Sequence, residues 1–312
     1  MPLHDSSVAK FAIAAGLAAG VAWGQHPDLQ GIWTTATLTP LERPAEFAGK
    51  PVLSDQEALQ FAKSMLQQLD RDRRDGGNQA DVGRGYNELF FDRGTRLAHI
   101  GQTIPSSLVY DPPDGHIPAL TPEATRRIAA ERAEARAHPA DSAADRSLQE
   151  RCLVFGAGPP MLPGIYNNNF QIVQTQDSVM IMSEMIHDVR IIPLNGRPHL
   201  PDSVRLWLGD STGHWDGSTL VVDTTNFTSK TSFRGSDENL HVIERFTRLD
   251  PHTIVYEFTI DDPTAFTRSW SARLPLVPSE GLIYEYACHE GNYALRDILA
   301  GAREDERKAR EH

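Results

Sequence analysis

Trp215-Asp216-Gly217-Ser218-Thr219-Leu220-Val221-Val222-Asp223-Thr224 sets an Asp-Gly pair directly before a β-branched, apolar run. Asp-Gly supplies the left-handed backbone of a tight hairpin turn, and Val and Thr suit a pleated surface. The stretch therefore predicts a turn feeding a strand over 219–224. The same alternation of short β-rich runs and turn signals extends in both directions, predicting strands over 170–175, 179–184, 189–194, 240–249, 254–260, 269–276 and 282–286. Leu249-Asp250-Pro251-His252-Thr253 and Ile260-Asp261-Asp262-Pro263 read as further reversals.

Strands joined by tight turns form an antiparallel meander, and closing a meander removes its unpaired edges. No helix of crossover length separates these runs, which disfavours a parallel βαβ arrangement. The expected fold is mainly β, with the meander closed into a barrel. Ser54-Asp55-Gln56-Glu57 is a capping box followed by apolar residues at helical spacing, predicting a helix over about 55–71. Thr121-Pro122 starts a second over about 122–137, and Asn292 a third over about 293–310. Residues 71–85 read as a loop. Residues 25–312 are expected to form one barrel domain with a helical insertion around 50–150.

The chain has 312 residues, with 42 acidic against 30 basic side chains and a net charge of −12. Such a surface repels phosphate backbones and anionic lipid, which argues against nucleic acid as partner. Lys10, the apolar run from Phe11 to Val21, and Ala22-Trp23-Gly24 resemble a secretory leader over 1–24. No later apolar run is long enough to span a bilayer. The expected location is the periplasm or the medium, with no membrane insertion after leader removal. In an oxidising compartment the pair Cys152 and Cys288 is most simply a disulfide, the alternatives being buried thiols or a metal-bound thiolate.

No G-x-S-x-G elbow, H-E-x-x-H helix, CxxC pair, Walker A loop or dinucleotide glycine motif occurs. Four polar segments remain. Tyr166-Asn167-Asn168-Asn169 precedes a strand, where an amide can hold a carbonyl oxygen or simply cap the strand. Glu184-Met185-Ile186-His187-Asp188-Val189-Arg190 gathers four ionisable groups. A break at His187 would let them converge, and a His beside a carboxylate suits a general base. In Asn239-Leu240-His241-Val242-Ile243-Glu244-Arg245-Phe246, period two puts Glu244 on an apolar face, as a candidate acid or as half of a buried Glu–Arg pair. Tyr286-Ala287-Cys288-His289-Glu290-Gly291-Asn292-Tyr293 follows the last predicted strand and offers His289 and Glu290.

Gly31-Ile32-Trp33 resembles the G-x-W signature of the first strand in lipocalin-like (calycin) barrels. From Pro27 to about Gly301 the chain is similar to a family of uncharacterised exported bacterial proteins. The runs carrying the likeness are Pro27–Trp33, Tyr166–Ile172, Glu184–Asp188, Thr231–Gly235 and Tyr286–Tyr293. That resemblance implies export and a barrel and carries over no catalytic residue.

These readings lead to an expected periplasmic enzyme acting on a small, partly apolar molecule by acid–base chemistry, as a hydrolase or a lyase/isomerase, without a nucleotide cofactor. His187, His241, His289, Glu244 and Glu290 are the expected catalytic groups. Tyr166, Asn168, Asn169, Asp188, Arg190 and Tyr293 are the expected substrate contacts. Zinc on His187, His241 and His289 is the metal alternative. The rival expectation is a lipocalin-like carrier that binds a hydrophobic ligand without turnover.

Overall fold

A computed structural model describes residues 26–85, 88–154, 158–166 and 168–311. The expected leader at 1–24 and Asn167 lie outside them. The chain runs β1 (Gly31–Thr34), β2 (Val52–Leu53), α1 (Asp55–Leu69), α2 (Gly77–Gly83), β3 (Ile104–Pro105), β4 (Val109–Asp111) and α3 (Pro122–Ala137). It continues through β5 (Asn169–Gln174), β6 (Ser178–Ser183), β7 (Val189–Pro193), β8 (Asp210–Asp216), β9 (Thr219–Thr225), β10 (His241–Asp250), β11 (Thr253–Asp261), β12 (Trp270–Pro278) and α4 (Ala294–Glu311).

Two meanders, β5-β6-β7 and β8 through β12, are joined by β1, which pairs antiparallel with both β5 and β12. The sheet order β7-β6-β5-β1-β12-β11-β10-β9-β8 is a nearly closed antiparallel barrel, with β4 added on β12. At the seam, Gly213 of β8 lies so close to β7 that an added Cβ would sit 2.8 Å from Ile192 Cγ2.

Period two is followed almost everywhere. Phe170 and Ile172 on β5, Val179 and Ile181 on β6, and Leu220 and Val222 on β9 are buried. So are Val242 and Phe246 on β10, Ile254, Tyr256, Phe258 and Ile260 on β11, and Trp270, Ala272, Leu274 and Leu276 on β12. Rings of Phe246, Tyr256, Phe258 and Trp270 touch in series with centroids 4.9 to 5.8 Å apart. The barrel interior is therefore filled with side chains, not hollow. A second, smaller core sets α1 on the antiparallel β2–β3 pair through Leu53, Ala58, Ala62 and Ile104.

The end of the barrel away from Leu240 is closed by the N-terminal strand. Leu29 N–H donates to Gln174 Oε1 at 3.0 Å, and Trp33 Nε1–H donates to Leu29 O at 3.0 Å. The Arg248 guanidinium lies 4.8 Å from the centre of the Trp33 ring. Gly31 is required here: its φ is +138°, and a Cβ would lie 3.2 Å from Trp33 Nε1.

The three predicted helices form, with Ser54 and Glu57 completing the capping box and Thr121 Oγ1 accepting Ala124 N–H at 3.1 Å. Three expectations are corrected. Residues 282–286 form no strand: β12 already ends at Pro278, and Leu282 and Tyr284 project into solvent. The loop read over 71–85 contains α2, whose Asn, Gln and Asp residues carry no apolar stripe and bury none of its residues. Residues 210–216, read only as a turn at their end, form β8, in which polar outward residues and Gly213 hide the alternation.

Candidate functional site at the barrel mouth

The strand ends nearest Phe170, Ser183 and Leu240 frame an open pocket of about 740 Å³. Its floor comes from the inner wall: Phe170 on β5, its cross-strand partner Ser183 on β6, and Leu240 ahead of β10. Met185, Phe227 and Phe233 add apolar surface, and Arg151, Lys230, Thr231 and Ser232 stand around it. Ser183 is 2% exposed, and its Oγ has no hydrogen-bond partner among the described residues. A buried hydroxyl without a partner is costly unless something else meets it.

Residues from 144–154 and 158–166 cover one side of the mouth. Met161 among them is fully buried, and its N–H donates to Tyr256 Oη at 3.0 Å. Tyr256 in turn donates to Glu244 Oε1 at 2.8 Å. Arg190 completes the group with Nη1 2.6 Å from Glu244 Oε2 and Nη2 2.9 Å from Oε1. Burial and the neighbouring Glu244 carboxylate push the Tyr256 phenol well up, so it stays a donor. Burial opposes the charge on Arg190, but the Glu244 carboxylate outweighs it and raises the guanidinium pKa. Glu244 is thus an acceptor for three donors in the packed interior. Of the two readings left open for it, the geometry matches the buried Glu–Arg pair.

The remaining expected residues are placed as follows. His187 is exposed in the turn between β6 and β7, where Ile186 and His187 have φ of +56° and +46°. Asp188 follows it, half-buried, and bends back so that its carbonyl accepts Ser183 N–H at 2.8 Å. His289 and Glu290 are exposed beside the disulfide, and Tyr293 is exposed with Arg296 over its ring. Asn168 lines the mouth pocket and also ties local backbone together: Oδ1 accepts Gly164 N–H at 2.6 Å, and Nδ2 donates to the Asp92 carbonyl. Asn169 Nδ2 donates to Glu184 Oε2 at 2.8 Å. Tyr166 lines the mouth pocket. None of His187, His241, His289, Glu244 or Glu290 does so, and among the described residues neither this pocket nor either of two others brings the five together. Among the described residues no group of three His, Cys, Asp or Glu is placed to hold a metal ion.

His241 belongs instead to the outer wall. Its Nε2 is 3.0 Å from Asp223 Oδ2, and Asp223 Oδ1 is 2.9 Å from His199 Nε2. His199 Nδ1 is 3.1 Å from Asp210 Oδ2, whose carboxylate also takes Arg197 Nη2 at 2.5 Å. The hydrogen bond to Asp223 raises the His241 pKa, and the bond from His241 lowers that of Asp223. This chain clamps the 195–209 segment over β8. His199, Asp210 and Arg197 escape sequence reading because they lie in an irregular segment and a concealed strand.

A second pocket of about 860 Å³ lies on the outside, between residues 92–99 and the stretch after β12. Burial raises the pKa of the Asp92 carboxyl there, and Asn169 and His99 share the wall.

Cys152 and Cys288 form a disulfide, with Cα atoms 6.0 Å apart. It ties the segment over the mouth to the tail that follows β12. No described helix is long and apolar enough to cross a membrane. No family model matches this chain, and no curated protein or solved structure matches it.

Proposed function

We propose that this chain is a lipocalin-like binding protein that holds a small, partly apolar molecule at the mouth of its barrel, in an exported, oxidising setting. The observation carrying this reading is the mouth pocket itself: about 740 Å³, floored by Phe170, Phe227 and Leu240, above an interior already filled by side chains. Ligand sites are concave, mostly apolar and supplied with a few polar groups, and the mouth of a barrel is a usual place for them. The absence of the five expected acid–base groups from this lining favours binding over turnover there. The leader-like first residues and the disulfide support export.

The test is fluorescence titration with N-phenylnaphthylamine, an uncharged probe that brightens in apolar surroundings. Saturable binding is expected, and Ser232→Trp, at an exposed position on the pocket wall, should weaken it about tenfold or more by filling the opening. No binding, or binding indifferent to the substitution, would count against the reading.

The acid–base alternative finds support in one place, the outer pocket, where a carboxyl of raised pKa faces open space. Turnover of small esters, lactones or glycosides that Asp92→Asn lowers about a hundredfold would favour it. An unaffected rate would remove Asp92 from consideration.

A further inference from the structure

The charges around the mouth differ from those of the rest of the chain. Acidic residues outnumber basic ones 42 to 30 overall. Yet the described residues lining the mouth include Arg146, Arg151 and Lys230 and no Asp or Glu. Arg146 is neutralised by Glu150, 2.5 Å away. Arg151 and Lys230 make no ion pair with a carboxylate among the described residues. Among the described residues, two cations without a carboxylate partner thus stand beside an apolar floor that carries one buried hydroxyl without a hydrogen-bond partner, Ser183.

Resting on the reading of the mouth as a ligand site, we infer that the ligand is an amphipathic anion. Its carboxylate or sulfonate head meets Arg151 and Lys230, and its apolar body lies on Phe170, Phe227 and Leu240. A neutral hydrophobe would leave both cations unanswered, and a cationic amphiphile would be repelled. An anion gains charge-assisted hydrogen bonds at the rim while its body leaves water. Attraction to a local positive rim on an otherwise acidic surface also distinguishes this end of the barrel for an approaching anion.

The experiment uses two probes that share one body: anilinonaphthalene sulfonate and the uncharged N-phenylnaphthylamine. They are titrated into the full chain, into Arg151→Gln and Lys230→Gln, and into the double variant. The sulfonate is expected to bind about tenfold more tightly, the scale of two partly screened charge contacts. That advantage should shrink with added salt and vanish in the double variant. The two probes are compared within each protein, so a double variant in which sulfonate affinity falls no further than N-phenylnaphthylamine affinity would overturn the inference. Equal affinity for the two probes, or a sulfonate advantage that survives both substitutions, would overturn the inference while leaving an apolar site standing. Failure of both probes to bind the unaltered chain would remove the ligand site itself.

Discussion

Arg190 and Glu244 stand on strands on either side of the gap in the barrel wall, and their two-pronged ion pair spans that gap from inside. β7 ends one side of the sheet, and β10 lies two strands in from the other. The guanidinium crosses the interior to reach the carboxylate at 2.6 and 2.9 Å, with side chains only 4% and 0% exposed. Removing one partner strands the other in a medium that solvates it poorly. Glu244→Leu should therefore cost about 3–5 kcal/mol, whereas pairing it with Arg190→Met should recover most of that loss. Denaturant unfolding of the three variants decides this. Equal losses for the single and double variants would show that packing, not charge, matters here.

Tyr256→Phe tests the next link. It leaves the Met161 N–H without its acceptor and takes one of two donors from Glu244 Oε1, and a loss of about 1–3 kcal/mol is expected. A neutral effect would mean that the segment over the mouth is held by its other contacts.

The seam depends on Gly213. Valine there would thrust into Ile192 and Leu194, which an added Cβ would approach to 2.8 and 2.9 Å. Destabilisation of about 1–3 kcal/mol is expected, with partial relief in the Ile192→Ala background. Wild-type stability would show that β7 and β8 separate freely.

The outer-wall clamp predicts a dependence on pH. His241 has a raised folded pKa, so its contribution is complete below its ordinary value near 6.5 and is lost as pH rises through the folded value. Asp223 has a lowered one, so its contribution is complete above about 3.9 and is lost as pH falls through the folded value. The pair should contribute most between about pH 4 and 6.5. Asp223→Asn should flatten the stability profile above that window, and a profile of unchanged slope would speak against the assignment.

Opening the disulfide releases a loop closed over 136 residues. By chain-entropy reasoning Cys152→Ser with Cys288→Ser should lower stability by about 4–5 kcal/mol. Because the bond tethers the segment that lines the mouth, affinity for an apolar probe should fall as well. Retained affinity would place the tether outside the site.

Much of the barrel could be read from the residues because local and global preferences agree there. The Asp216-Gly217 turn, the alternation in Thr253–Asp261 and the capping box at Ser54 each correspond to what the tertiary structure uses. Reading failed where a side chain's partner lies far off in the chain. Period two placed Glu244 on an apolar face, but only the fold decides that Arg190 meets it. Ser183 escapes sequence reading, although alternation along Ser178–Ser183 gives it the inward face, whereas Arg151 and Lys230 sit in irregular segments where no period assigns a direction. The expected meeting of His187, His241 and His289 assumed inward side chains. His241 instead lies on the outward face of β10, and the other two are in exposed turns.

Placing β1 between β5 and β12 also governs the order in which this molecule can be assembled. Trp33 pairs with Phe170 on one side and with Pro278 on the other, so the first strand made waits for the last one. Such distant pairing makes for slow closure of the ring. A nascent chain stopped short of Pro278 has its first strand bare along one flank. Completion of the wall therefore waits until β12 has been made.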